Sequence, residues 1–326
     1  MDKFTDWLDK KLMPVAAAFG AQRHLAAIRR SFLNVIPLIL LGSFYTLLPS
    51  VYWLGEKLAT YSKFFDLANK VTFGSAALYL VICITNLLAK SYELEEIPVI
   101  LLAIVNFVTS SARFITDANG TTGLEFGYMG AYGMFGAIVI SILTVEAYRL
   151  LRKWGVYIRG PKGVPQGVTS FIENILPYLI VNLPFLILAH NGWYLTQSVA
   201  LALSPFFKQA DSYWAVLLTH FIACLCWFMG VHPWAMIGPV YFPFLVANGI
   251  ANAEAYAAGQ PLPYITAFGS YYGNSAGGTG NHFPLAFFGL FSKSKTIKAV
   301  AKAAIFTTFF NVNEPTLFGY PVVLNP

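Results

Sequence analysis

Uncharged apolar stretches alternate with short charged links along the chain. Each of the first four stretches is about 20 residues long, which matches one helical crossing of a lipid bilayer. We therefore predict membrane helices at about 31–54, 71–90, 96–114 and 126–150. Three later uncharged stretches are longer than one crossing, so each is expected to contain more than one membrane segment; they cover residues 174–207, 212–253 and 255–292.

Proline and glycine interrupt the apolar pattern between residues 174 and 292, and glycine is concentrated at 273–280. Irregular backbone at membrane depth is tolerated only where it is buried in protein or lines a polar cavity. Interrupted membrane segments of this kind indicate the substrate site of a transporter. The pattern therefore predicts an all-α polytopic membrane protein with broken helices and re-entrant segments.

Composition and charge exclude a soluble globular protein and a nucleic-acid-binding protein. Hydrophobic residues make up 57% of the chain and charged residues 11%, whereas soluble domains have about 25% charged residues. The net charge is +6, but six Lys and Arg residues precede the first predicted helix and five more lie in the link 146–173. The links 55–70, 90–96 and 113–125 carry three, one and one Lys or Arg residues, respectively. With a cytoplasmic N-terminus this alternation obeys the positive-inside rule, so the predicted partner is a lipid bilayer.

The first thirty residues mix aromatic and leucine side chains with lysines. They contain too many charges for a cleaved signal peptide, so we predict an amphipathic helix at the cytoplasmic surface of the membrane. The three cysteines lie in apolar stretches without C-x-x-C spacing, and the histidines outside the candidate site have no acidic partners at ligand spacing. We therefore predict no metal site and no cofactor.

Glu314 is the first candidate for substrate binding, because ionisable side chains inside membrane segments are costly and usually functional. It lies in the segment Asn311-Val312-Asn313-Glu314-Pro315, with apolar sequence on both sides. A carboxylate beside amides such as Asn313 can accept hydrogen bonds from sugar hydroxyls. The alternative is a structural carboxylate that caps a broken helix.

His232 and Trp227 lie in a second candidate segment, again without charges nearby. Gly230 and Pro233 bracket His232, so we expect the helix to break there and to present the imidazole to a cavity. An imidazole can bind a hydroxyl and accept its proton, although an isolated histidine on an apolar face is often only a core residue. Trp227 could stack on a sugar ring, but aromatic residues make up 16% of the chain.

The glycine-rich segment 273–282 forms the third candidate. It lacks the G-x-x-x-x-G-K-[ST] spacing and the lysine of a phosphate-binding loop, so nucleotide binding is not predicted. We interpret it instead as a re-entrant hairpin in which Gly278, Thr279 and neighbouring backbone amides face a sugar or a phosphate.

With these segments, the chain resembles the enzyme IIC family of bacterial phosphotransferase systems, in particular the lactose, cellobiose and chitobiose permeases. The most specific segment is Asn311–Pro315, which is close to the Asn-Ile-Asn-Glu-Pro signature of that family. At Asn281–Pro284 the chain departs from the small and hydroxylated residues that many members have. Other similar segments are Met13-Pro14-Val15, Gln22-Arg23-His24-Leu25, Gly163-Val164-Pro165, Gly230-Val231-His232, Gly277–Gly280 and Phe318–Pro326.

The resemblance implies a phosphotransferase enzyme IIC fold with re-entrant hairpins, organised as a homodimer. It implies three regions: a cytoplasmic segment 1–30, the dimer-interface spans 31–200, and a transport region 201–326 that carries the sugar site. It also implies that His232 and Glu314 act as catalytic residues near the hydroxyl that is phosphorylated. Trp227 would stack on the sugar, and the other substrate-binding residues would be Gly278, Thr279 and Asn313.

The resemblance further implies a β-linked disaccharide as substrate and a phosphorylated IIB protein as partner, with IIA, HPr and enzyme I upstream. The expected location is the bacterial plasma (inner) membrane. Because family members continue beyond the position of Pro326, we expect a C-terminally truncated chain, and the alternative function is a transport-incompetent membrane remnant that only dimerises. The family segments disfavour an ion-coupled secondary transporter.

Overall fold

The structure is a computed structural model of the chain. It describes residues 22–48, 57, 59–116, 120, 122–125, 127–160, 166–228, 233, 237–267, 277–309, 311–320 and 322. This described part is mostly α-helical, which confirms the predicted fold class. Its helices are α1 (Arg23–Leu47), α2 (Ser62–Val71), α3 (Ala76–Ser91), α4 (Glu96–Ser111), α5 (Met134–Lys153), α6 (Gln166–His190), α7 (Leu195–Ala210), α8 (Tyr213–Phe228), α9 (Gly238–Ala257), α10 (His282–Gly289), α11 (Lys295–Phe309) and α12 (Glu314–Gly319).

Two compact units make up the chain. The first unit comprises Ala27–Pro205 and Ile250–Leu262. The second unit comprises Phe206–Gly249 and Pro263–Pro326, together with the N-terminal residues up to Ala26. Helix α9 begins in the second unit and ends in the first.

Helices α3, α4, α5 and α6 pack against one another in the first unit. Leu80, Ile84 and Leu88 are fully buried on α3, and their spacing of four residues puts them on one helix face. Phe107 on α4 and Ile140 on α5 are also fully buried. These side chains form the apolar core of the first unit.

Polar side chains connect the same helices at buried positions. Asn106 donates from Nδ2 to Thr144 Oγ1 at 3.0 Å and accepts at Oδ1 from Asn182 Nδ2 at 2.8 Å. The hydroxyls of Ser111 and Thr196 lie 2.7 Å apart. Such interhelical hydrogen bonds hold helices together where lipid offers no competing partner.

By length and composition, the described helices include candidate membrane spans at Ser62–Ser91, Ala131–Lys153 and Thr169–His190. Two shorter helices, α4 and α8, are also apolar. On α6, Leu179, Leu183 and Leu186 are exposed, as expected of a helix face that contacts lipid. The chain is therefore a membrane-embedded protein.

The structure differs from the sequence prediction in two details. Helix α1 begins at Arg23, whereas the apolar pattern predicted that the first helix begins at about residue 31. The link after α4 contains an antiparallel hairpin of β1 (Phe114–Thr116) and β2 (Thr122–Leu124), which was not predicted.

Candidate functional site

The glycine-rich segment forms a tight turn at residues 277–280, directly before helix α10. Gly277, Gly278 and Gly280 have φ angles of +88°, +82° and +93°, a region that side chains rarely tolerate. A Cβ on Gly277 would lie 2.1 Å from the backbone nitrogen of Phe283, and one on Gly278 would lie 2.9 Å from the backbone oxygen of Asn311. Glycine is therefore required both by conformation and by the close approach of neighbouring backbone.

Two asparagines of the segment 311–315 hold this turn. The backbone N–H of Gly277 donates to Asn311 Oδ1 at 3.0 Å, and Asn313 Nδ2 donates to the carbonyl oxygen of Thr279 at 3.0 Å. Asn313 is 4% exposed, so it donates this hydrogen bond from a nearly buried position. The predicted Asn-Val-Asn-Glu-Pro segment thus lies against the predicted glycine hairpin, although 34 residues separate the bonded partners.

Glu314 is the first residue of α12, and Pro315 follows it. An acidic side chain in the first turn of a helix is favoured by the helix dipole, and proline fits there because it needs no backbone donor. The backbone N–H groups of Thr316 and Leu317 donate to the carbonyl oxygen of Asn313 at 3.1 and 2.9 Å. Glu314 is half-buried. It directly follows Asn313, which donates a hydrogen bond to the glycine turn.

His282 also belongs to this cluster. It begins α10, is 8% exposed, and places Nδ1 at 3.0 Å from the hydroxyl oxygen of Thr316. The Thr316 hydroxyl donates in turn to the carbonyl oxygen of Asn313 at 2.7 Å. In the sequence, His282 was notable only as the last residue of the glycine-rich segment 273–282 and as part of the departure at Asn281–Pro284. A histidine directly after a glycine-rich turn was the available signal, but its partner on α12 could not be identified from spacing.

Trp227 lies near the end of α8 and is 4% exposed. Its ring packs edge to face against Phe318 on α12, with 6.4 Å between ring centroids, and Phe318 is 61% exposed. In this structure the indole is therefore covered by protein. His232 lies outside the described residues.

The structure thus brings together Gly278, Thr279 and Asn313, with Glu314 adjacent in the chain. Within the described ranges, no group of three or more His, Cys, Asp or Glu side chains is arranged to hold a metal ion. Amides, hydroxyls, an imidazole and one carboxylate suit a ligand that presents several hydroxyl groups.

Comparison with known proteins gives the chain's relatives. The family model "Phosphotransferase system, EIIC" matches residues 29–326. The lactose-specific EIICB component of the phosphotransferase system of Lacticaseibacillus casei is 29% identical over 97% of this chain and 57% of its own length. The oligo-beta-mannoside-specific EIIC component of Bacillus subtilis (strain 168) is 28% identical over 97% of this chain and 75% of its own length.

A solved structure shows the same fold. The transporter ChbC, the IIC component of an N,N'-diacetylchitobiose-specific phosphotransferase system, matches with a TM-score of 0.86 at 25% identity, over 98% of this chain and 79% of its own. The chain spans little more than half the length of the lactose-specific relative. With the family match extending over almost the whole sequence, the chain belongs to the EIIC family of the phosphotransferase system.

Proposed function

We propose that this protein is the sugar-translocating IIC component of a phosphoenolpyruvate-dependent phosphotransferase system, and that it carries a β-linked disaccharide such as cellobiose or chitobiose. The names of its relatives support this substrate class. They include lactose-specific, oligo-beta-mannoside-specific and lichenan permease components and the N,N'-diacetylchitobiose-specific ChbC.

The observation that carries the proposal is the docking of the glycine turn on the segment 311–316. Two asparagine amides hold the turn at 3.0 Å each, and the carboxylate of Glu314 comes next in the chain. Hydrogen bonds to a charged carboxylate are stronger than those between neutral groups. A single carboxylate among neutral polar groups therefore suits a neutral ligand with several hydroxyl groups, and the ligand does not need to carry a positive charge.

The proposed chemistry divides between two residues. Glu314 accepts hydrogen bonds from the sugar, close to the hydroxyl that is phosphorylated. His232 accepts the proton of that hydroxyl as its oxygen bonds to phosphorus, while the bond between phosphorus and the donor cysteine of IIB breaks and releases the thiolate. Trp227 stacks on the sugar once the ring becomes accessible, and Gly278, Thr279 and Asn313 line the site.

The proposed setting is the bacterial plasma membrane, with a cytoplasmic N-terminus and a homodimer formed through residues 31–200. The partner protein is phosphorylated IIB, supplied through IIA, HPr and enzyme I. The distribution of lysine and arginine between the links supports this orientation. In this orientation, the basic link 146–173 lies on the cytoplasmic side of the membrane, from which IIB approaches.

Glu314→Gln tests the proposal. We expect the wild-type protein to give uptake of labelled cellobiose or chitobiose in cells that lack their own IIC and supply matching IIA and IIB. Glu314→Gln should weaken sugar binding by about 1.5–3 kcal/mol, the scale of a hydrogen bond to a charged group. Calorimetry on the purified protein measures this loss.

Glu125→Gln provides the matched control, because Glu125 is exposed on the hairpin after α4 and should leave uptake and affinity unchanged. Unchanged affinity in folded Glu314→Gln protein would remove Glu314 from the site. A wild-type protein that dimerises but neither binds nor transports any of these sugars would favour the transport-incompetent alternative.

A further inference from the structure

The protonation of His282 follows from its hydrogen-bond chain. A carbonyl oxygen only accepts, and threonine has a single hydroxyl proton. With that proton donated to the Asn313 carbonyl at 2.7 Å, the Thr316 oxygen can only accept at its 3.0 Å contact with His282 Nδ1. The imidazole proton therefore lies on Nδ1, and in the neutral ring Nε2 carries a free lone pair.

The Nε2 atom of His282 faces the glycine turn. A Cβ on Gly280 would lie 3.1 Å from it, and Gly280 itself is exposed. Among the described residues, no group forms a hydrogen bond with Nε2. Nε2 is also not among the side-chain atoms that are fully buried without a hydrogen-bond partner. His282 as a whole residue is 8% exposed. A nearly buried imidazole thus presents an acceptor atom at the accessible edge of the turn.

We propose that His282 Nε2 accepts a hydrogen bond from one hydroxyl group of the bound sugar, and that Thr316 fixes the tautomer that leaves Nε2 unprotonated. This inference rests on the proposed function, because it assigns a further specificity residue to the same site. A ligand group that only accepts, such as an ether oxygen or a carbonyl, finds no donor at Nε2. His282 therefore selects sugars that place a hydroxyl at this position.

Two substitutions distinguish the role of Nδ1 from that of Nε2. In His282→Asn the side-chain amide reaches the place of Nδ1, so it can still donate to Thr316, but nothing replaces Nε2. In His282→Gln the longer side chain reaches the place of Nε2 with its carbonyl oxygen. We expect His282→Asn to bind cellobiose about 5-fold more weakly, the effect of one net hydrogen bond, and His282→Gln to recover most of that loss.

Monodeoxy analogues of cellobiose identify the hydroxyl. We expect one analogue to bind the wild-type protein about 5-fold more weakly than cellobiose and to lose no further affinity in His282→Asn. Every other analogue should bind His282→Asn about 5-fold more weakly than it binds the wild-type protein. Such non-additivity between ligand and protein changes reports a direct contact.

Thr316→Val tests the positioning role, because it removes the hydroxyl that holds Nδ1. It should weaken cellobiose binding, although by less than His282→Asn does. Thr307→Val is the matched control: Thr307 donates within its own helix to the carbonyl oxygen of Ala304 at 2.9 Å and should leave affinity unchanged. In protein with labelled histidine, nitrogen NMR should show the Nδ1-protonated ring in the wild type and in Thr307→Val.

Three results overturn the inference. The first is cellobiose affinity in His282→Asn equal to that of the wild type. The second is an equal loss of affinity in His282→Asn and His282→Gln, with every deoxy analogue affected alike, which would assign His282 a structural role. The third is a wild-type protein that binds no β-linked disaccharide, and this result alone would also overturn the proposed function.

Discussion

Gly278→Ala isolates the contact between the glycine turn and the segment 311–313. Gly278 has a φ of +82°, and an added Cβ would lie 2.9 Å from the backbone oxygen of Asn311 and 3.0 Å from Cγ of Asn313. The left-handed backbone alone costs a residue with a side chain about 1–2 kcal/mol. Overpacking against backbone that cannot move freely adds about 1–3 kcal/mol. The expected total loss of stability is therefore about 2–5 kcal/mol.

Gly192→Ala gives the matched control for this change. Gly192 has a similar φ of +76°, but among the described residues no atom lies within 4 Å of a Cβ built there. This variant should show only the conformational cost of about 1–2 kcal/mol and should keep the sugar affinity of the wild type. The difference between the two variants measures the docking contact alone.

The assay combines thermal unfolding of the purified protein with calorimetric titration of cellobiose. We expect Gly278→Ala to unfold at a lower temperature than Gly192→Ala and to bind sugar more weakly, since the turn must move away from Asn311 or Asn313. Equal unfolding temperatures and equal affinities in the two variants would refute the reasoning. In that case the turn either does not contact the segment 311–313 or yields to a methyl group without consequence.

Two further predictions concern the first unit and the topology. Asn106→Leu should lower stability by about 1 kcal/mol, since it removes two interhelical hydrogen bonds that are each worth about 0.6 kcal/mol in membranes; unfolding as in the wild type would show that these bonds contribute nothing. A reporter fused after Arg159 should read cytoplasmic and one fused after Gly120 should read external, and the reverse result at both sites would overturn the assigned orientation.

The sequence predicted the membrane helices better than their ends. Apolar length identifies the part of a helix that crosses lipid, whereas α1 continues through Arg29 and Arg30 back to Arg23, because a charged side chain can extend into the interface without ending the helix. The hairpin after α4 does have a signal in the sequence. The dipeptide Asn119-Gly120 is typical of the sequences of hairpin turns, and β-branched residues flank it.

The sequence predicted which types of residue form the candidate site, but not which of them contact one another. Glycine at 277, 278 and 280 indicated unusual backbone, and Asn313 with Glu314 indicated polar chemistry. However, no local rule pairs Thr279 with Asn313, since the two lie 34 residues apart and nothing in the periodicity of either segment encodes their docking. For the same reason the bond between His282 and Thr316 became visible only in the folded chain.

Left-handed backbone is concentrated where these two segments meet. Besides the glycines of the turn, Asn281 and Asn311 have φ angles of 54° and 63°, and asparagine is one of the few residues with a side chain that adopts this region at modest cost. Hydrogen bonds offset that cost: Asn281 N–H donates to the Gly278 carbonyl at 3.0 Å, and Asn311 N–H donates to the Thr308 carbonyl at 3.1 Å. Backbone held in rare conformations is typical of ligand sites, because it fixes polar groups before the ligand arrives. In the proposed site the turn therefore holds its polar groups in place before the sugar binds, and binding would not have to supply the free energy of ordering them.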